Sequence, residues 1–241
     1  MIAYVILFVA ALSLCILSTK ANFGRGLLLF PLLISLVGVR HAVPMLAVAQ
    51  LMTAAACILR NAAYTRWRTI GWFLLGAMPC CAAGALLFVT LPEEAATRLI
   101  GAAILFFVLA HRFNTAQTSK TPFYLIARGT VVGALSGLTG SSASLGLRVF
   151  AAQGLAPSAL IASLAAVGVA IHGMKMVVYQ RFIEFDLRFW RLTAVITGAM
   201  LVSSRLVQPT RRPEHASAMQ RAVEVCLLLA AAYLLIHGTA P

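Results

Sequence analysis

The chain has 241 residues, of which 61% are hydrophobic and 10% charged, against roughly 25% charged in an average soluble domain. With a mean hydropathy of +0.94, these values exclude an ordinary soluble domain, a disordered chain and a collagen-like one, and five cysteines are few for a disulfide scaffold. An all-α polytopic membrane protein remains. The net charge of +13 would suggest nucleic acid in a soluble protein. Here the basic residues are scattered through short connections between apolar runs, so they read as topology signals, and no nucleic-acid partner is expected.

Apolar runs define the candidate helices. The first, Met1–Leu17, carries no charge, and its first basic residue, Lys20, follows it. A secretory signal carries its basic residues before the apolar core, so this run is expected to be a retained helix. The next runs are Leu27–Val39, Ala42–Leu59, Ile70–Leu91 and Ala95–Ala110. A polar stretch, His111–Thr121, follows. The second series is Phe123–Leu138, Ser144–Leu155, Ser158–Val178, Phe189–Leu206 and Ala222–Ile236, with a polar connection over Gln208–Gln220. Leu27–Val39 and Ser144–Leu155 have 13 and 12 residues, short of the roughly 20 that span a bilayer. They are expected as half-helices or re-entrant arms.

The two series repeat one order of events. Each short run follows a small-residue break: Asn22-Phe23-Gly24-Arg25-Gly26 and Thr139-Gly140-Ser141-Ser142-Ala143-Ser144. Each ends in Gly-apolar, at Gly38-Val39 and Gly154-Leu155. A proline then starts a long helix, Pro44 and Pro157, which ends in a basic, aromatic connection. Residues 1–110 and 122–241 are therefore expected as two transmembrane repeats joined by 111–121. Each holds an odd number of crossings, so the second enters from the opposite face. That is an inverted-topology repeat with broken helices, a pattern of secondary transporters. The connections after runs one, three, five and nine hold eleven Lys and Arg. The opposite connections hold six, Lys175 counted among them. The richer set is assigned to the cytoplasm, which places both termini outside.

A broken helix presents free N–H groups and a positive dipole end to an anion. Candidate substrate-binding residues are therefore Asn22, Gly24, Arg25 and Gly26 in the first break, and Thr139, Gly140, Ser141, Ser142 and Ser144 in the second. Gln50 and Ser163 occupy matching places six residues past Pro44 and Pro157. They either line a path or bond neighbouring helices. Arg25 and Arg148 either meet the anion or snorkel to the surface. His172 is the candidate for a coupling proton. No Asp or Glu lies inside an apolar run apart from Glu224, so a carboxylate relay has little support.

The stretches Gly24-Arg25-Gly26-Leu27-Leu28-Leu29-Phe30-Pro31-Leu32-Leu33 and Gly133-Ala134-Leu135-Ser136-Gly137-Leu138-Thr139-Gly140, with Phe185-Asp186-Leu187-Arg188, resemble the sulfite exporter TauE/SafE family of membrane transporters. The resemblance covers both halves. That family usually has three consecutive glycines at each break. Here the first break keeps two around Arg25, and the second carries Ser141, Ser142, Ala143 and Ser144. The resemblance implies transport, as an exporter, of a small sulfur-containing anion such as sulfite or an organosulfonate, across a bacterial inner membrane. The expected partners are that anion and the lipid bilayer, and a homo-oligomer is compatible with the sequence. No cofactor or metal is expected.

Enzyme chemistry is not expected. Ser141, Ser142 and His172 supply the residue types of an intramembrane serine protease, but no Gly-x-Ser-x-Gly is present. No His-Glu-x-x-His is present either. The alternatives are a structural or assembly membrane protein, or a transporter of another small ion.

Overall fold

The computed structural model describes residues 2–20, 26, 28–113, 121–139, 143–207 and 213–238. Among them every regular element is helical: α1 (Ile2–Lys20), α2 (Leu29–Asn61), α3 (Trp67–Thr90), α4 (Glu93–Phe113), α5 (Pro122–Thr139), α6 (Ala143–Ala151), α7 (Pro157–Tyr179), α8 (Leu187–Leu206) and α9 (Pro213–His237), with one 3-10 turn at Ala62–Tyr64. α1, α3, α7 and the stretch Leu29–Tyr64 are long and apolar enough to cross a membrane. Large apolar side chains such as Ile6, Leu75 and Leu229 are more than 60% exposed on the helix surfaces. Water would penalise that exposure, and lipid tails would not.

Runs two and three join in α2, which breaks at Gly38 (φ 73°, ψ 166°). Only glycine occupies that region without strain. The matching Gly154 also has a positive φ, 70°, in the turn between α6 and α7. Pro157 starts α7 as expected, because a proline at the first helical position loses no bond. Pro44 does not start its helix. It lies inside α2, six residues past the break, where its ring removes one bond to the carbonyl four residues earlier. A second correction concerns the connection expected over Gln208–Gln220. α9 already begins at Pro213, where a proline, an acidic residue and good helix formers (Ala216, Ala218, Met219) favour initiation despite the polarity.

The helices pair in a defined pattern. α5 packs most extensively on α3, α2 on α7, α4 on α9, and α1 on α8, while α3 also meets α7 and α2 also meets α8. The α3–α5 contact is made by small residues. Gly129, Gly133 and Gly137 recur every four residues on α5, and a Cβ on them would strike the carbonyls of Phe73, Ala77 and Cys81 on α3. In return, a Cβ on Gly84 would lie 2.8 Å from the Ala134 carbonyl. Without apolar side chains between them the backbones approach closely, the packing mode that membrane helices favour. At the far end of α7, Asp186 caps α8. Its Oδ1 accepts from the Phe189 N–H at 2.7 Å, as its position before Leu187-Arg188 allows.

Candidate functional site

Asn22, Gly24 and Arg25 of the first break, and Gly140, Ser141 and Ser142 of the second, lie outside the described residues. Gly26 is described and buried. A Cβ on Gly26 would collide with Gln50 Nε2 of α2. The structure therefore brings together two residues that are 24 positions apart and were assigned independently. Gln50 is 8% exposed, and its Nε2 has no hydrogen-bond partner among the described residues. A buried amide donor without a partner costs roughly 1–3 kcal/mol. It is aimed at the backbone just ahead of the N-terminal end of α2.

Ser163 on α7 is fully buried, and its hydroxyl accepts from the backbone N–H of Arg66 at 3.2 Å. Arg66 is the residue immediately before α3. Ser163 thus ties α7 to the start of α3. Gln50 and Ser163 hold matching places in the sequence but carry different loads. Thr139 ends α5 and Ser144 lies in the first turn of α6. Arg148 lies in the last turn of α6. The glycines of the stretch Gly133–Gly140 divide: Gly133 and Gly137 serve the contact with α3, and Gly140 lies outside the described residues.

The largest departure from the sequence reading concerns Lys175. It was counted among surface connection charges. It lies instead within α7, at 0% exposure, so the opposite connections hold five basic residues rather than six. Its Nζ donates to the Ser136 carbonyl at 3.2 Å and lies 3.4 Å from the Ser136 Oγ. One turn further on, the Tyr179 hydroxyl donates to the Gly137 carbonyl at 3.0 Å. These are two of the last four carbonyls of α5, which have no partner within their own helix. One turn before Lys175 lies His172, 7% exposed, whose Nδ1 has no hydrogen-bond partner among the described residues. The signal for Lys175 was present in the sequence. It is a lone cation four residues from the end of a 23-residue apolar helix.

Two clefts are lined by other residues. One, of about 380 Å³, is lined by Ile58, Trp67, Ile70, Leu74, Ala166 and their neighbours. The other, of about 230 Å³, lies between α2 and α8 at His41, Asp186 and Phe189. No group of three or more His, Cys, Asp or Glu side chains among the described residues is placed to hold a metal ion.

A bundle of apolar helices with lipid-compatible surfaces, a glycine-broken helix and buried polar groups inside defines a multi-pass membrane protein. The sequence matches the family described as Sulfite exporter TauE/SafE over residues 6–234. The chain belongs to that family, and so to the membrane transporters of sulfur-containing anions. No curated protein and no solved structure matches the chain.

Proposed function

We propose that this protein is a secondary transporter that exports a small sulfur-containing anion, sulfite or an organosulfonate, across a bacterial inner membrane. The observation that carries the site is the Gln50 amide, which has no hydrogen-bond partner among the described residues and is pressed against Gly26. An anion in the first break would accept from Gln50 Nε2 and from the N–H groups at the start of α2. Asn22, Gly24 and Arg25 belong to the same break. Thr139, Gly140, Ser141, Ser142 and Ser144 supply the second, at the start of α6. Ser163 steadies the adjoining helices. His172 is the candidate carrier of a coupling proton.

The helix pairing supports two inverted repeats, residues 1–110 and 122–241. Exchanging α1 with α5, the two segments of α2 with α6 and α7, α3 with α8, and α4 with α9 maps the main helix pairs onto one another. The α3–α5 pair becomes α8–α1, and α3–α7 becomes α8–α2. A pseudo-twofold arrangement of this kind lets one half rock against the other around a central site. The cytoplasmic placement of the basic connections then sets both termini outside.

The test is thermal stabilisation of the purified protein in detergent by sulfite, sulfate, thiosulfate, taurine, sulfoacetate and chloride. A ligand at 100 times its dissociation constant adds about 2.7 kcal/mol. The expected result is a selective shift with one sulfur oxyanion or sulfonate, lost in Gly24→Leu and Ser142→Leu. A chain that responds to none of these anions overturns the site.

A further inference from the structure

α7 presents two donors to the end of α5, four residues apart: Lys175 to the Ser136 carbonyl and Tyr179 to the Gly137 carbonyl. Tyr179 is also fully buried. It satisfies its carbonyl with a neutral hydroxyl, so capping this helix end does not require a charge. Lys175 nevertheless places a cation there at 0% exposure. A charged side chain buried within a membrane helix is costly and marks a functional position. None of the helices α2, α3, α5 and α7 carries an Asp or Glu in its sequence. The end of α5 also bears the negative pole of its helix, about half an elementary charge. An anion passing this end is repelled unless that pole is offset. The Lys175 ammonium and the Ser136 hydroxyl meet at this point, and one turn away His172 adds a ring nitrogen with no hydrogen-bond partner among the described residues.

We infer that Lys175 is the electrostatic anchor of the transported anion, offsetting the carbonyl end of α5 and supplying a charge-assisted contact, with the Ser136 hydroxyl as second donor. This rests on the sulfur-anion reading above and adds to it the residue that supplies positive charge inside the bundle. The ligand class it selects is a compact anion with at least two acceptor oxygens, as sulfite and sulfonates have.

The experiment compares wild-type protein with Lys175→Gln, Lys175→Met and Lys175→Arg, using sodium sulfite as the probe. Melting without ligand and sulfite affinity from the ligand-dependent shift are read separately. In Lys175→Gln, which keeps a donor for the Ser136 carbonyl, melting without sulfite should stay close to wild type. Its sulfite affinity should fall about tenfold or more, as expected for loss of a charge-assisted contact. Lys175→Arg should bind within about threefold of wild type. Equal binding by wild type and Lys175→Gln overturns the anchor and leaves the transporter reading standing. If wild type binds no sulfite, the same comparison is read with whichever sulfur anion of the panel shifts it, and absence of binding to all of them overturns both. If neither neutral variant folds, Lys175→Arg decides: binding within threefold supports the anchor and a tenfold loss overturns it.

Discussion

The hydroxyl of Tyr179 on α7 donates to the carbonyl of Gly137 on α5 at 3.0 Å, across 42 positions of sequence. Both residues are buried. The bond satisfies a carbonyl at a helix end, where no partner exists within the helix itself. Tyr179→Phe deletes it while keeping the ring, which packs edge-on against Phe88 with centroids 5.8 Å apart. The variant should lose about 1–3 kcal/mol, because the Gly137 carbonyl is left buried and unpaired. Denaturant unfolding in mixed micelles measures the loss.

The α3–α5 contact predicts a sharper effect. A Cβ on Gly133 would strike the backbone of Ala77, which cannot rotate away as a side chain can. Gly133→Ala should cost about 1–3 kcal/mol, as overpacking does. Gly133→Leu should abolish monodisperse protein. Gly173 on α7 is the control, because nothing lies within 4 Å of an added Cβ there. Gly173→Ala should be neutral or stabilising by up to about 1 kcal/mol. Size-exclusion profiles and unfolding curves of the three variants distinguish close packing from general intolerance of substitution.

The break in α2 predicts an unequal response at its two related glycines. Gly38→Ala forces a side chain into a region reserved for glycine, at a cost of about 1–3 kcal/mol. It also brings a Cβ to 3.1 Å from Glu93 Oε1. Gly154 has a positive φ but open space around it. Gly154→Ala should therefore cost less than Gly38→Ala. Melting temperatures of the two variants, taken in the same detergent, check the order.

Gln50 separates stability from binding. Its Nε2 is buried with no hydrogen-bond partner among the described residues, so Gln50→Leu should leave unliganded stability unchanged or raised. The same substitution should weaken the stabilisation by a sulfur anion. Gln50→Glu places a negative charge at that position and should abolish the shift. Titrating sulfite against wild type and both variants checks this; a Gln50→Leu protein with an undiminished shift removes Gln50 from the site.

Much of the fold was legible because each helix had to be apolar along its length. Run boundaries such as Ile70–Leu91 and Ser158–Val178 fell within three residues of α3 and α7. Gly38 and Gly154 were visible as punctuation because positive φ selects glycine. The start of α9 is not legible from apolarity, because Pro213 and the polar residues after it begin the helix by propensity. The stripe Gly129, Gly133, Gly137 was present in the sequence, but its partner helix was not. Spacing reveals a small-residue face and says nothing about which backbone will lie on it.

Composition and hydropathy by themselves determined that the chain is an all-helical membrane protein, and the glycine and serine breaks marked where its helices would be interrupted. These properties follow from local chemistry: the lengths of apolar runs, the backbone freedom of glycine, and the requirement that a helix in lipid satisfy its own hydrogen bonds. Only the tertiary structure decided that Gln50 faces Gly26, that the Ser163 hydroxyl is taken by Arg66, and that Lys175 is an interior charge rather than a surface one. Those facts depend on which helices pack together, and the close approach of α3, α5 and α7 is what places the Lys175 ammonium on the Ser136 carbonyl, inside the bundle.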